Sequence, residues 1–138
     1  PIPHVVITER EGRDLKTRWS TRDVPLVGEG LRIAQEIVRG VNDPTTPAFP
    51  RFFEAERMES LSSALNYRIR KFTDNPKHVA YSLRHNMTDR LRDAETYGGT
   101  QKGIQGHSLG RGEDANYGGP VSLEKKRDAL LKAFHIAN

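Results

Sequence analysis

The sequence predicts a mostly helical α+β domain with a small N-terminal antiparallel sheet. Two observations lead there. The first 27 residues hold three short extended runs joined by polar turns, and from Leu31 onward apolar residues return at three- and four-residue spacing, the period of a helix with one buried face. No repeat, low-complexity tract or heptad series interrupts the 138 residues, so one domain is expected.

The first run, residues 4–8, is His-Val-Val-Ile-Thr, β-branched and short, and Gly12 follows at a natural turn. A second run spans residues 14–19 and a third 23–27, where Pro25 has no N–H for a ladder and so belongs on an edge or at a strand's end. Leu31, Ile33, Ala34, Ile37, Val38 and Val41 then form the stripe of a helix of about three turns. Gly40 weakens its end and Asn42-Asp43-Pro44 stops it. Residues 51–72 predict a longer helix with Met58, Leu61, Leu65, Ile69 and Phe72 on one side, closed by Asp74-Asn75-Pro76. Ser82 is expected to cap the next helix, which carries Leu83, Met87 and Leu91 on one face and Arg84 in its first turn. Gly98 and Gly99 are expected to break it, leaving a short turn around Ile104. Ser122 caps a final helix whose Leu123, Leu130, Leu131 and Phe134 give it an apolar face.

Composition narrows the function classes. Apolar residues make up 35% and charged residues 29%, mean hydropathy is −0.71, and no apolar run approaches the length of a membrane span, so a membrane protein is not expected. Lys and Arg total 22 against 18 Asp and Glu, a net charge of +4 that permits an anionic partner without requiring one. With no cysteine there is no disulfide, thiolate metal site or cysteine nucleophile. His4, His78, His85, His107 and His135 are scattered and no His-Glu-x-x-His pair is present, so no metal site is expected. A serine nucleophile elbow is absent, and Gly28-Glu29-Gly30 is too weak to be a phosphate loop. Asn86-Met87-Thr88 matches a glycosylation triplet by chance, inside a helical pattern.

What remains is a set of side chains suited to a phosphodiester without metal: Lys16 on the second run, Arg84 at a helix start, then His107 and Tyr117 in the glycine-rich stretch 106–118. Read alone, each has a plain structural role. Lys16 could be a strand-edge lysine, Arg84 a partner for Asp89, His107 a turn cap and Tyr117 a surface residue in a loop.

Four blocks occur in order: Leu15-Lys16-Thr17 with Ser20-Thr21-Arg22-Asp23-Val24-Pro25-Leu26, then Tyr81-Ser82-Leu83-Arg84-His85, then Gly106-His107-Ser108, then Asn116-Tyr117-Gly118. Together they resemble the catalytic domain of the tyrosine recombinases, the phage integrase family, over most of the chain. The resemblance implies the fold of the DNA breaking-rejoining enzymes, the integrase catalytic core. It also implies site-specific recombination and integration of double-stranded DNA, by a tetramer of recombinase protomers in a bacterial cytoplasm. By that pattern Tyr117 attacks the scissile phosphate and forms a 3′-phosphotyrosyl bond, Arg84 and His107 clamp the phosphate, and Lys16 protonates the leaving 5′-oxygen. No metal and no other cofactor enters.

The chemistry suits those residue types. A free tyrosine has a pKa of about 10, so the nucleophile needs a proton acceptor or cationic company. A guanidinium offers a fixed fork of donors to charge developing on phosphate oxygens, where one lost donor typically costs about 3–4 kcal/mol of barrier. Tyr81 stands where the family usually has histidine three residues before the arginine. A phenol can donate to a phosphate oxygen but is a poor base at neutral pH, so the base for Tyr117 is left open. The family's first catalytic arginine lies on a helix upstream of the hairpin, and no residue here matches it. The resemblance is therefore to a partial catalytic domain, without the preceding DNA-clamping domain. A non-catalytic module for DNA binding or protomer assembly is the alternative. The helix after Ser122 is expected either to dock on a neighbouring protomer or to pack within its own chain.

Overall fold

A computed structural model describes residues 1–9, 15, 20–52, 55–107 and 120–137, with the backbone alone for 55–59. Two strands and five α-helices are formed among them: β1 (His4–Ile7), β2 (Arg22–Pro25), α1 (Gly28–Arg39), α2 (Ala55–Ile69), α3 (Ser82–Asp93), α4 (Gly98–Gln105) and α5 (Leu123–Ala133), with a 3-10 turn at Pro50–Phe52. The protein is α+β, about half helical, with a small two-stranded antiparallel sheet. It divides into two compact units, one made of Pro1–Arg32 with Thr88–Asn138 and the other of Ile33–Met87.

In the first unit β1 pairs antiparallel with β2, His4 opposite Pro25 and Ile7 opposite Arg22, and the Leu26 N–H extends the ladder to the Pro3 carbonyl at 2.9 Å. Pro25 closes its strand, where its missing N–H costs no ladder bond. The second extended run, 14–19, lies outside the described residues apart from Leu15. Two strands alone are marginal in water. β2 is secured because α4 and α5 both pack against it. The core is formed by Leu91, Ala94, Ile104, Leu130 and Ala133. Fully burying a leucine contributes roughly 1.5–3 kcal/mol, so Leu91 and Leu130 carry much of it.

Helix α5 forms as its sequence dictates. Ser122 has extended backbone and its hydroxyl accepts the Lys125 N–H at 3.3 Å, after which Lys126, Leu130 and Ala133 fall on one buried stripe. That stripe faces β2 and α4 of the same chain, so the tail packs in cis. Phe134 is only partly covered, with the Arg90 guanidinium 5.2 Å from its ring centre.

Three helices end by the same backbone device. A residue with positive φ follows the last turn (Glu95 at 54°, Gly106 at 70°, His135 at 54°), and the next N–H reaches back five residues. These bonds run from Thr96 to the Leu91 carbonyl at 2.8 Å, from His107 to Lys102 at 3.1 Å and from Ile136 to Leu131 at 2.9 Å. The first of them corrects the expectation for Gly98 and Gly99. Helix α3 has already stopped at Asp93, and the glycines instead open α4, a full helix where a turn was expected.

In the second unit, α1 ends near Gly40 as expected, the Gly40 N–H shared between the Glu36 and Ile37 carbonyls. The region 51–72 is shorter than its pattern. After Ile69 the N–H groups of Lys71 and Phe72 reach back three residues, to Arg68 and Ile69. That tighter winding swings Phe72 off the apolar stripe, and it is 90% exposed. Ser82 does not cap α3. Its hydroxyl donates to the Lys77 carbonyl and accepts the Val79 N–H, both at 3.1 Å, serving the turn before the helix. Asn66 of α2 accepts the Ala80 N–H at 2.7 Å and ties that turn to the helix.

Gly106 is fixed by two constraints, its positive φ and the Arg22 guanidinium, whose Nη1 and Cζ lie 2.5 and 2.8 Å from where a Cβ would stand. Gly106→Ala is therefore expected to cost about 2 kcal/mol. Gly30→Ala, with nothing within 4 Å of the added carbon, should be neutral or gain about 0.5 kcal/mol. Urea unfolding of the two variants measures the contrast.

Candidate functional site

Tyr81 and Arg84 both lie at the entrance to α3. The chain enters the helix through successive three-residue turns, Ser82 N–H to Val79, Leu83 to Ala80 and Arg84 to Tyr81 at 3.0 Å. This winding puts Arg84 in the first turn of α3, half-buried, and leaves Tyr81 exposed with its ring edge-on to His85 at 5.2 Å between centres and 78° between planes. A phenol O–H and a guanidinium three residues apart are both donors, and an anion at the helix entrance would meet both chemistries. Asp89 is bridged by Arg92 at 3.2 Å.

His107 belongs to the first unit. It follows the left-handed Gly106 that ends α4, is exposed, and is oriented by its own N–H bond to Lys102. Lys16 and Tyr117 lie outside the described residues, so the proposed general acid and nucleophile have no geometry to report.

The first unit also contains a cationic cluster that the residue pattern did not announce. Arg22 donates through Nε to the Ile104 carbonyl at 3.0 Å and through Nη1 to the Ser20 carbonyl at 2.7 Å. A cation at the C-terminal end of α4 is stabilised by the carbonyls that end the helix and by its dipole. Lys126 is 6% exposed and donates through Nζ to the Asp23 carbonyl at 2.9 Å. Burial lowers its pKa from the usual 10.5, the nearby Asp23 carboxylate opposes that shift and Arg22 adds to it. Arg22 stood inside the first matched block without a role. Lys126 gave one faint signal, its place four residues before Leu130 on the same helical stripe.

Among the described residues, no group of three or more His, Asp or Glu side chains is placed to hold a metal ion, and no helix is long and apolar enough to cross a membrane. Compared with known proteins, the chain matches no family model, no curated protein and no solved structure.

The lowered pKa of Lys126 sets a pH dependence. Between its value in the folded chain and 10.5 the unfolded chain binds more protons, so the stability linked to this group rises as pH increases through that window. Wild-type stability relative to Lys126→Met should accordingly grow from pH 7 to pH 10. Denaturant midpoints of both proteins at the two pH values give the comparison.

Proposed function

We propose that this chain is a catalytic part of a tyrosine-type site-specific DNA recombinase of phage or prophage kind, acting in the bacterial cytoplasm with other protomers on double-stranded DNA. The observation that carries the reading is the order of the four blocks ending at Lys16 and Arg22, Tyr81 and Arg84, His107, and Tyr117. The α+β organisation, with Arg84 in the first turn of α3, is compatible with this reading at the level of fold class alone.

In this mechanism the Tyr117 hydroxyl oxygen bonds to the scissile phosphorus as the bond from phosphorus to the 5′-oxygen breaks. The leaving oxygen takes a proton from the Lys16 ammonium, and the phenolic proton passes to a base not yet assigned. Arg84, His107 and the Tyr81 hydroxyl donate to the nonbridging oxygens, where charge builds up. Attack of a 5′-hydroxyl on the phosphotyrosyl bond reverses the step on a new strand. The bond count is conserved, so no external energy source is consumed.

The test is covalent trapping of the full-length protein on a nicked suicide duplex, followed by peptide mapping. An adduct at Tyr117 that Tyr117→Phe abolishes is expected, and Arg84→Ala should slow its formation about 10²- to 10³-fold. An adduct on another residue, or equal trapping by Tyr117→Phe, overturns the assignment. Salt-sensitive DNA binding with no adduct would favour the non-catalytic module.

A further inference from the structure

The corner between α2 and α3 carries features that the recombination chemistry does not use. Residues 67–78 hold Arg68, Arg70, Lys71 and Lys77 against a single acid, Asp74. All four cations are exposed, and among the described residues none of them pairs with a carboxylate. Lys71 lies over the Tyr67 ring, 4.8 Å from its centre. Phe72 projects 90% exposed from the tight turn that ends α2, with its ring uncovered between Lys71 and Thr73.

The backbone beneath this surface is firmly held. His78 Nδ1 meets the Thr73 hydroxyl at 2.9 Å and its Nε2 meets the Asn75 amide at 3.3 Å, while the Asn75 carbonyl oxygens of side chain and backbone accept the Lys77 and His78 N–H groups at 3.0 Å. The Asn66 bond to Ala80 closes the corner onto α2. An exposed phenylalanine among unpaired cations on a braced turn is poorly suited to an apolar protein partner, which would need contiguous apolar area. It suits a ligand that alternates flat apolar faces with negative charge.

We propose that this corner binds single-stranded polynucleotide, an unpaired base stacking on Phe72 while Arg70, Lys71 and Lys77 contact flanking phosphates. A paired base already stacked within a duplex cannot offer its face to one exposed ring, so the site selects unpaired strands. The proposal rests on the corner's own residues and holds whether or not Tyr117 is a nucleophile.

Fluorescence anisotropy with a labelled 15-nucleotide oligo-dT, an oligo-U of equal length, an abasic oligomer and a duplex tests it. Phe72→Ala and Phe72→Leu should each weaken the oligo-dT or oligo-U complex about tenfold, and leave the abasic and duplex complexes unchanged. The tighter of the two pyrimidine oligomers names the natural polymer. Lys77→Ala should weaken all complexes and reduce the salt slope on single strands by about 0.7. Three results overturn the proposal: no single-strand binding by the wild type, retention of binding by Phe72→Leu, or equal losses on the abasic oligomer. Tyr117→Phe should bind as the wild type does, which separates this test from the trapping experiment.

Discussion

The first unit depends on the hydrogen bond from the Arg22 guanidinium to the Ile104 carbonyl. It ties the beginning of β2 to the last turn of α4, across 82 residues of sequence, and places a charge where the helix dipole favours one. Much follows from that placement. The guanidinium occupies the volume that a side chain at residue 106 would need, and the positive φ there adds to the preference for glycine. The ending at Gly106 in turn sets where His107 leaves the helix. Lys126 adds a second tie, from α5 to the Asp23 carbonyl of the same strand. A half-exposed two-stranded sheet is thus held from one side by two cations bonded to backbone carbonyls, as well as by the aliphatic contacts of Leu130 and Ile104.

The second unit is held differently. Among its described residues none reaches the burial of Leu91 or Leu130, and Ile33, Leu61, Leu65 and Leu83 are all at least one-third exposed. Order there comes from side chains that bond to backbone at turns: Asp43 to Thr45, Asn75 to Lys77, Ser82 to Val79 and Asn66 to Ala80. Such bonds fix local geometry well while adding only about 1 kcal/mol each. The entrance to α3, which carries Tyr81 and Arg84, is built from them.

These two styles explain what could be read from the residues. Helix α5 was legible because its cap and its apolar period agree, and α1 because its stripe is bounded by glycine and Asn-Asp-Pro. Helix α4 was not, since Gly-Gly-Thr-Gln-Lys-Gly-Ile-Gln has weak helix propensity and is stabilised by burial of Ile104 and Gln105, a tertiary effect. Ser82 misled because a hydroxyl two residues before a helical arginine looks the same whether it bonds forward into the helix or back into the turn. Phe72 had the right spacing for the stripe and lost it to one change of winding. At the candidate site, spacing alone located Arg84 in a first turn with Tyr81 beside it. The cations at Arg22 and Lys126 left little trace, because nothing in a local pattern separates a lysine that reaches a carbonyl of another strand from one that faces water.

The three helix ends with left-handed residues have a bearing on how this sequence could change. At Gly106 a side chain would meet both the positive φ and the Arg22 guanidinium, so glycine is favoured there. At Glu95 and His135 the same backbone shape is held by residues that bear a Cβ, and Glu95 has turned this to use by reaching Lys132 at 3.2 Å. Of these three helix ends, two are places where glycine would relax the backbone and one already has it. Stability lost by a substitution elsewhere in the first unit could be recovered at residue 135, and a urea melt of a doubly substituted chain would show the recovery.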